Sequence, residues 1–107
     1  MQFSFTFRQY EPTEGLRELI QSKVEKRLEK LVHTETAECR VTISTEKAWI
    51  HIEAIVTSWG ETFVSAEKTT DLYPTIDIVI DKLERQLQRR KEMAHDRRVR
   101  RPGADGV

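Results

Sequence analysis

The strongest constraint on the fold lies in residues 71–91, where apolar residues recur at three- and four-residue spacing. This period predicts an amphipathic helix with one face to bury. The stripe comprises Leu72, Ile76, Val79, Ile80, Leu83 and Leu87. Asp71 is predicted as the N-cap, and Pro74 lies in the first turn, where proline removes no helical hydrogen bond. Because such a helix is stabilised mainly by packing, the rest of the chain must supply an apolar surface.

The exposed side of this helix is divided by charge. At about 100° per residue, three acidic residues fall on one flank of the stripe and three basic residues on the other. These are Asp77, Asp81 and Glu84, opposed by Lys82, Arg85 and Arg89. Residues 82–101 contain nine of the 18 Lys and Arg and carry a net charge of +6, which leaves −6 for the remainder. Such a basic segment suits a polyanion such as RNA, and a solvated face with a disordered tail is the simpler alternative.

The chain of 107 residues is long enough for one domain with a modest core. We expect residues 1–95 to form that domain and the Arg-rich residues 96–107 to form a disordered tail. We also expect a cytoplasmic protein, because no apolar run approaches a membrane span and the N-terminus does not resemble a signal peptide. Cys39 is the only cysteine, so we expect a buried thiol and no internal disulfide.

The first helix is predicted from Thr13, as its cap, to about Val32. Its apolar stripe comprises Leu16, Leu19, Ile20, Val24, Leu28 and Leu31. Beside the stripe lies a basic row, Lys23, Lys26 and Lys30.

Four segments alternate with the period of a half-buried strand. They cover residues 2–8, 39–44, 48–58 and 61–68. Trp59-Gly60 is predicted as a tight hairpin turn. On the last strand we expect Thr62, Val64 and Ala66 to face the core, which would place Phe63 on the open sheet face with Trp49 and His51.

The predicted order is β-α-β-β-β-α, an α+β fold. The first two strands are joined through a helix and should be parallel, and short turns make the other neighbours antiparallel. The simplest packing places both helices on one face of a four-stranded sheet. That arrangement would bring the basic rows of the two helices together on the outer surface.

Several motifs in this order resemble the family of short hibernation promoting factors and ribosome-associated inhibitors, also called ribosome subunit interface proteins. They are Ser65-Ala66-Glu67, Asp71-x-Tyr73-x-x-Ile76-Asp77, Ile80-Asp81-Lys82-Leu83-x-Arg85-Gln86-Leu87 with the basic cluster after it, and Thr13-Glu14-x-Leu16-Arg17. The resemblance covers roughly residues 1–93. It implies two helices on a four-stranded sheet, similar to a double-stranded-RNA-binding domain.

The resemblance also implies a non-catalytic protein that binds the small ribosomal subunit in the channel for messenger RNA and transfer RNA. Such a protein would inhibit translation in stationary phase or stress, with ribosome dimerisation requiring another factor. The residues expected to contact ribosomal RNA are Lys23, Lys26, Lys30, Lys82, Arg85, Arg89, Arg90 and Lys91. Their role would be phosphate contact with little reading of bases.

Two other functions remain open from the sequence. A general double-stranded RNA-binding or RNA-chaperone domain would use the same charge less selectively. A protein-interaction module that modulates a sigma factor would depend on Trp49 or Phe63 and tolerate high salt. No Gly-rich phosphate loop, nucleophile elbow or Cys/His cluster occurs, so we expect no catalytic residue, metal, cofactor or small-molecule substrate.

Overall fold

A computed structural model describes the backbone of residues 1–100 and the side chains of residues 1–94. The elements are β1 (Gln2–Arg8), α1 (Leu16–Leu28), a 3-10 turn (Glu29–Leu31), β2 (Glu38–Glu46), β3 (Trp49–Ser58), β4 (Glu61–Thr69) and α2 (Leu72–Arg100). The predicted order β-α-β-β-β-α is confirmed. Helix α2 continues to Arg100, and the side chains of the predicted tail lie outside the described residues. Neither described helix is long and apolar enough to span a bilayer.

The four strands form one sheet in the order β1-β2-β3-β4. Strand β1 is parallel to β2, and the other two pairs are antiparallel, as expected from the connections. Both helices pack on the same face, α2 against β3 and β4, with α1 beside it. Ion pairs join residues 23 and 27 of α1 to residues 77, 81 and 84 of α2, so the two helices run in the same direction. Their C-terminal halves therefore lie at one end of the helix layer.

The core lies between the helix layer and the sheet. All members of the predicted stripe of α2 are buried except Leu72, which is partly buried against the core. Fully burying one such aliphatic side chain stabilises the fold by about 1.5–3 kcal/mol. Cys39 is buried as expected, and this burial raises the pKa of its thiol to about 12. A thiol held in the neutral form is a packing residue and not a nucleophile.

The expected core side of β4 was wrong. Phe63 and Ser65 face the helices with 7% and 4% exposure, whereas Val64 is 47% exposed on the open face. The register explains the difference, because the two-residue hairpin places Phe63 directly opposite the buried Val56. Directly opposed residues share one face of a sheet. The hairpin itself was predicted correctly, with Trp59 and Gly60 both at positive φ, 59° and 71°.

The predicted start of α1 was also wrong. The residue before the helix is Gly15, which is in the left-handed conformation with φ of 85° and has no side chain to cap the helix. Thr13 contributes its backbone carbonyl, which accepts a hydrogen bond from the Leu16 amide at 3.2 Å. Glycine adopts positive φ without a Cβ penalty, so Gly15 permits the turn into the helix. At the start of α2, the Asp71 carbonyl accepts from the Thr75 amide at 3.3 Å, as expected for an N-cap residue.

Candidate nucleic-acid interface

All eight predicted RNA-contact residues lie on α1, α2 or the 3-10 turn between α1 and β2. Both helices pack on one sheet face, but the acidic flank of α2 faces α1 and its basic side chains Lys82 and Arg90 reach toward β4. The expected side-by-side placement of the two basic rows was therefore wrong, because the acidic flank lies between them. The ion pairs between the helices show which of these charges are already neutralised within the protein. The eight residues therefore divide into a paired group and an unpaired group.

Three of the eight form close ion pairs. The pairs are Lys23 with Asp77 at 3.0 Å, Lys82 with Glu67 at 2.7 Å and Arg90 with Glu61 at 3.1 Å. Each joins two elements of the fold, so these three side chains are held in place by the protein itself. A phosphate contact there would have to share or replace an internal carboxylate.

The other five are exposed and weakly constrained. Lys26, Lys30, Arg89 and Lys91 have no carboxylate partner within the described side chains. Arg85 is 78% exposed and lies 3.9 Å from Asp81, at the limit of an ion pair. We call these five residues the free basic surface. They occupy the C-terminal half of α1, the 3-10 turn and α2 from its middle onward, toward the same end of the helix layer.

Arg27 connects the two helices beneath this surface, a role that the sequence did not indicate. Its guanidinium donates to Glu84 through Nε at 3.0 Å and also contacts Asp81 through a terminal nitrogen. The hydrogen bonds to Glu84 and Asp81 raise the pKa of Arg27 above its ordinary value. The single positive charge of Arg27 offsets one of the two negative charges, so these acids repel an approaching phosphate less.

Two side chains of α2 cover the outer edge of β4. Lys82 Nζ donates to the Ala66 carbonyl at 3.2 Å, and Gln86 Nε2 donates to the Val64 carbonyl at 2.8 Å. An exposed strand edge is a template for pairing with other chains. Lys82 and Gln86 thus have a structural role here, in addition to any contact with RNA.

Trp59 is fixed in the hairpin by several contacts. Its indole Nε1 donates to the Leu31 carbonyl at 3.1 Å, and the Arg90 guanidinium lies 4.7 Å from the ring centroid. The His33 ring meets the indole edge-on at 5.5 Å. These contacts join the hairpin to α2 and to the segment after α1, as expected of a residue that caps the sheet.

The open face of the sheet differs from the helix layer in charge. Three basic and three acidic side chains lie on it, namely Arg8, Arg40, Lys68, Glu38, Glu46 and Glu53. Lys68 Nζ lies 5.6 Å from the Trp49 ring centroid. Phe63 is not part of this face. A balanced surface of this kind attracts a polyanion less than the free basic surface does.

The fold and the charged layer define a small α+β domain with a basic surface on the helix side of its sheet. Residues 3–95 match the family described as Sigma 54 modulation protein / S30EA ribosomal protein, and the chain belongs to that family.

Individual relatives agree with this assignment. The ribosome hibernation promoting factor of Azotobacter vinelandii is 32% identical over 105 residues, which are 98% of this chain and 96% of that protein. A ribosomal subunit interface protein from Coxiella burnetii has the same fold, with a TM-score of 0.75 at 23% identity over 86% of this chain and 99% of that one. The N-terminal domain of Protein Y from Thermus thermophilus matches with a TM-score of 0.72 at 23% identity, over 83% and 98% of the two chains.

Proposed function

We propose that this protein is a cytoplasmic ribosome hibernation factor that binds the small ribosomal subunit in the channel for messenger RNA and transfer RNA. The name of the Azotobacter vinelandii relative supports the role in hibernation. The free basic surface is the observation that carries the proposal. It gathers five cations at one end of the helix layer, where Asp77, Asp81 and Glu84 are engaged in ion pairs.

Binding would be driven by phosphate neutralisation. Each Lys or Arg that pairs with a phosphate releases counterions, so affinity falls as salt rises. If all five residues of the free basic surface contact phosphates, log K should fall by about 4 per tenfold increase in salt. Paired Lys23, Lys82 and Arg90 would contribute less, because their internal carboxylates compete with phosphate.

Inhibition would follow from occupancy of the channel. A folded domain there excludes messenger RNA and transfer RNA sterically, so no chemical step is required. Folded ribosomal RNA would be recognised by its shape and backbone, and the two joined helices would present their charges to it from a common backbone framework. The same proposal includes expression in stationary phase or stress and the use of another factor for ribosome dimerisation.

Sedimentation with purified ribosomes through a sucrose gradient tests the proposal. We expect the wild type to sediment with small subunits at low salt and Arg85→Glu/Arg89→Glu to remain at the top. The matched control is Arg8→Glu/Arg40→Glu, which makes the same charge change on the open sheet face and should still sediment. Loss of binding by both variants would show that total charge, and not the free basic surface, controls binding.

Two further measurements separate the alternatives. A general double-stranded RNA-binding domain would bind an arbitrary RNA duplex as tightly as ribosomes, which an excess of competitor duplex would reveal. A sigma-factor modulator would bind its protein partner at high salt and lose that binding on Trp49→Ala, because Trp49 is exposed on the open face. Retention of ribosome binding by Arg85→Glu/Arg89→Glu would refute the proposed interface.

A further inference from the structure

A cavity of about 360 Å³ opens between the C-terminal part of α2 and the start of β4. It adjoins the free basic surface, because Arg89 lines it. Its volume is at the lower end of the range for small-molecule sites, about 300–1,000 Å³. This space suits a base with its ribose and is too small for a duplex.

The floor of the cavity is apolar. Met93 lines it from α2 with 55% of its surface exposed, and Phe63, which is only 7% exposed, closes it from β4. The polarisable thioether of Met93 makes favourable contacts with aromatic rings. The floor can therefore receive the face of a base.

The rim of the cavity is polar and partly preorganised. Arg90 donates to Glu61 at 3.1 Å and lies over Trp59, so the Glu61 carboxylate is held at the rim. A carboxylate accepts several hydrogen bonds and can therefore bind an amino group as well. Arg89 is exposed and has no carboxylate partner among residues 1–94, so its guanidinium is available for a phosphate.

We propose that this cavity binds one unpaired nucleotide of the bound RNA, whose base carries an exocyclic amino group. The base lies on Met93, its amino group donates to Glu61, and its phosphate contacts Arg89. This inference rests on the proposed function, because the nucleotide belongs to the RNA that the free basic surface binds. It adds a base contact to an interface otherwise made through phosphates.

Met93 supplies a direct probe. The chain has only two methionines, Met1 and Met93, so methyl-¹³C methionine labelling gives two NMR signals. Met1 precedes β1, at the opposite edge of the sheet from β4, and serves as the internal control. We expect AMP, GMP or CMP at millimolar concentration to shift the Met93 methyl upfield by its ring current and to leave Met1 unchanged.

Three controls define the site. Ribose 5-phosphate carries the phosphate without the base and should cause no upfield shift. UMP lacks an amino group and should bind severalfold more weakly than CMP, and Glu61→Gln should reduce that preference. Absence of any shift of Met93 with all four nucleotides at 10 mM, roughly 10,000-fold above a micromolar Kd, would overturn the inference.

A second experiment examines the ribosome-bound state. Chemical probing of small-subunit RNA at saturating protein should show one unpaired base that the wild type protects and that Met93→Ala leaves reactive. Met93→Ala should still sediment with ribosomes, because it changes no charge and leaves the free basic surface intact. If both proteins sediment with ribosomes and give identical base reactivity, only the proposal that the cavity binds a nucleotide is refuted. If the wild type does not sediment with ribosomes, the proposed function itself is refuted.

Discussion

Replacement of Arg27 by Met tests whether the ion bridge between the two helices stabilises the fold. Met keeps an unbranched apolar stem and has a helix propensity similar to that of Arg, so the change removes mainly the guanidinium. Glu84 and Asp81 lose their shared partner and are left one helical turn apart with like charge. We expect the variant to fold and to be less stable than the wild type.

The magnitude follows from the exposure of the three side chains. Hydrogen bonds to charged groups contribute about 1.5–3 kcal/mol, and fully exposed ion pairs contribute about 0–1 kcal/mol. Arg27 is 35% exposed, Glu84 29% and Asp81 47%, so the bridge lies between these limits. We therefore expect a loss of about 1.5 kcal/mol, which lowers Tm by roughly 6–12 °C for a chain of this size.

Urea unfolding followed by circular dichroism measures the loss. The matched control is Lys26→Met, which makes the same charge change at the adjacent residue of α1. Lys26 is exposed and has no carboxylate partner within the described side chains, so we expect a change below about 0.5 kcal/mol. Equal unfolding free energies for the two variants would refute the structural role of Arg27.

Two further predictions concern the core. Phe63→Ala should cost about 3 kcal/mol in unfolding free energy and Val64→Ala under about 1 kcal/mol, and the reverse order in urea unfolding would contradict the register of β4. The raised pKa of Cys39 means that its neutral form is favoured in the folded state, so this contribution to stability is present below about pH 8.5 and is lost as the pH rises toward 12. Unfolding measured from pH 8 to 11 should therefore show a steeper decline in stability for the wild type than for Cys39→Ala, and parallel curves would contradict the prediction.

The sequence by itself determined the order of elements and most of the buried stripe. Helical and strand periods are local properties, so they can be read without knowledge of what the element packs against. The connection lengths then determined which strands are parallel. The face of β4 was predictable too, because the Trp59-Gly60 hairpin already placed Phe63 opposite Val56. The alternation of β4 alone did not decide it, since Val64 and Phe63 are both apolar.

Only the tertiary structure decided which basic residues lack a close carboxylate partner among the described side chains. Lys23 and Asp77 are 54 residues apart in the chain, and their ion pair forms because both helices pack on one sheet face. The same packing engages Arg27, which the predicted basic row did not include. Charge along a sequence shows where cations are concentrated. Whether a given cation is available to a phosphate depends on distances between elements, and those are set only when the chain folds.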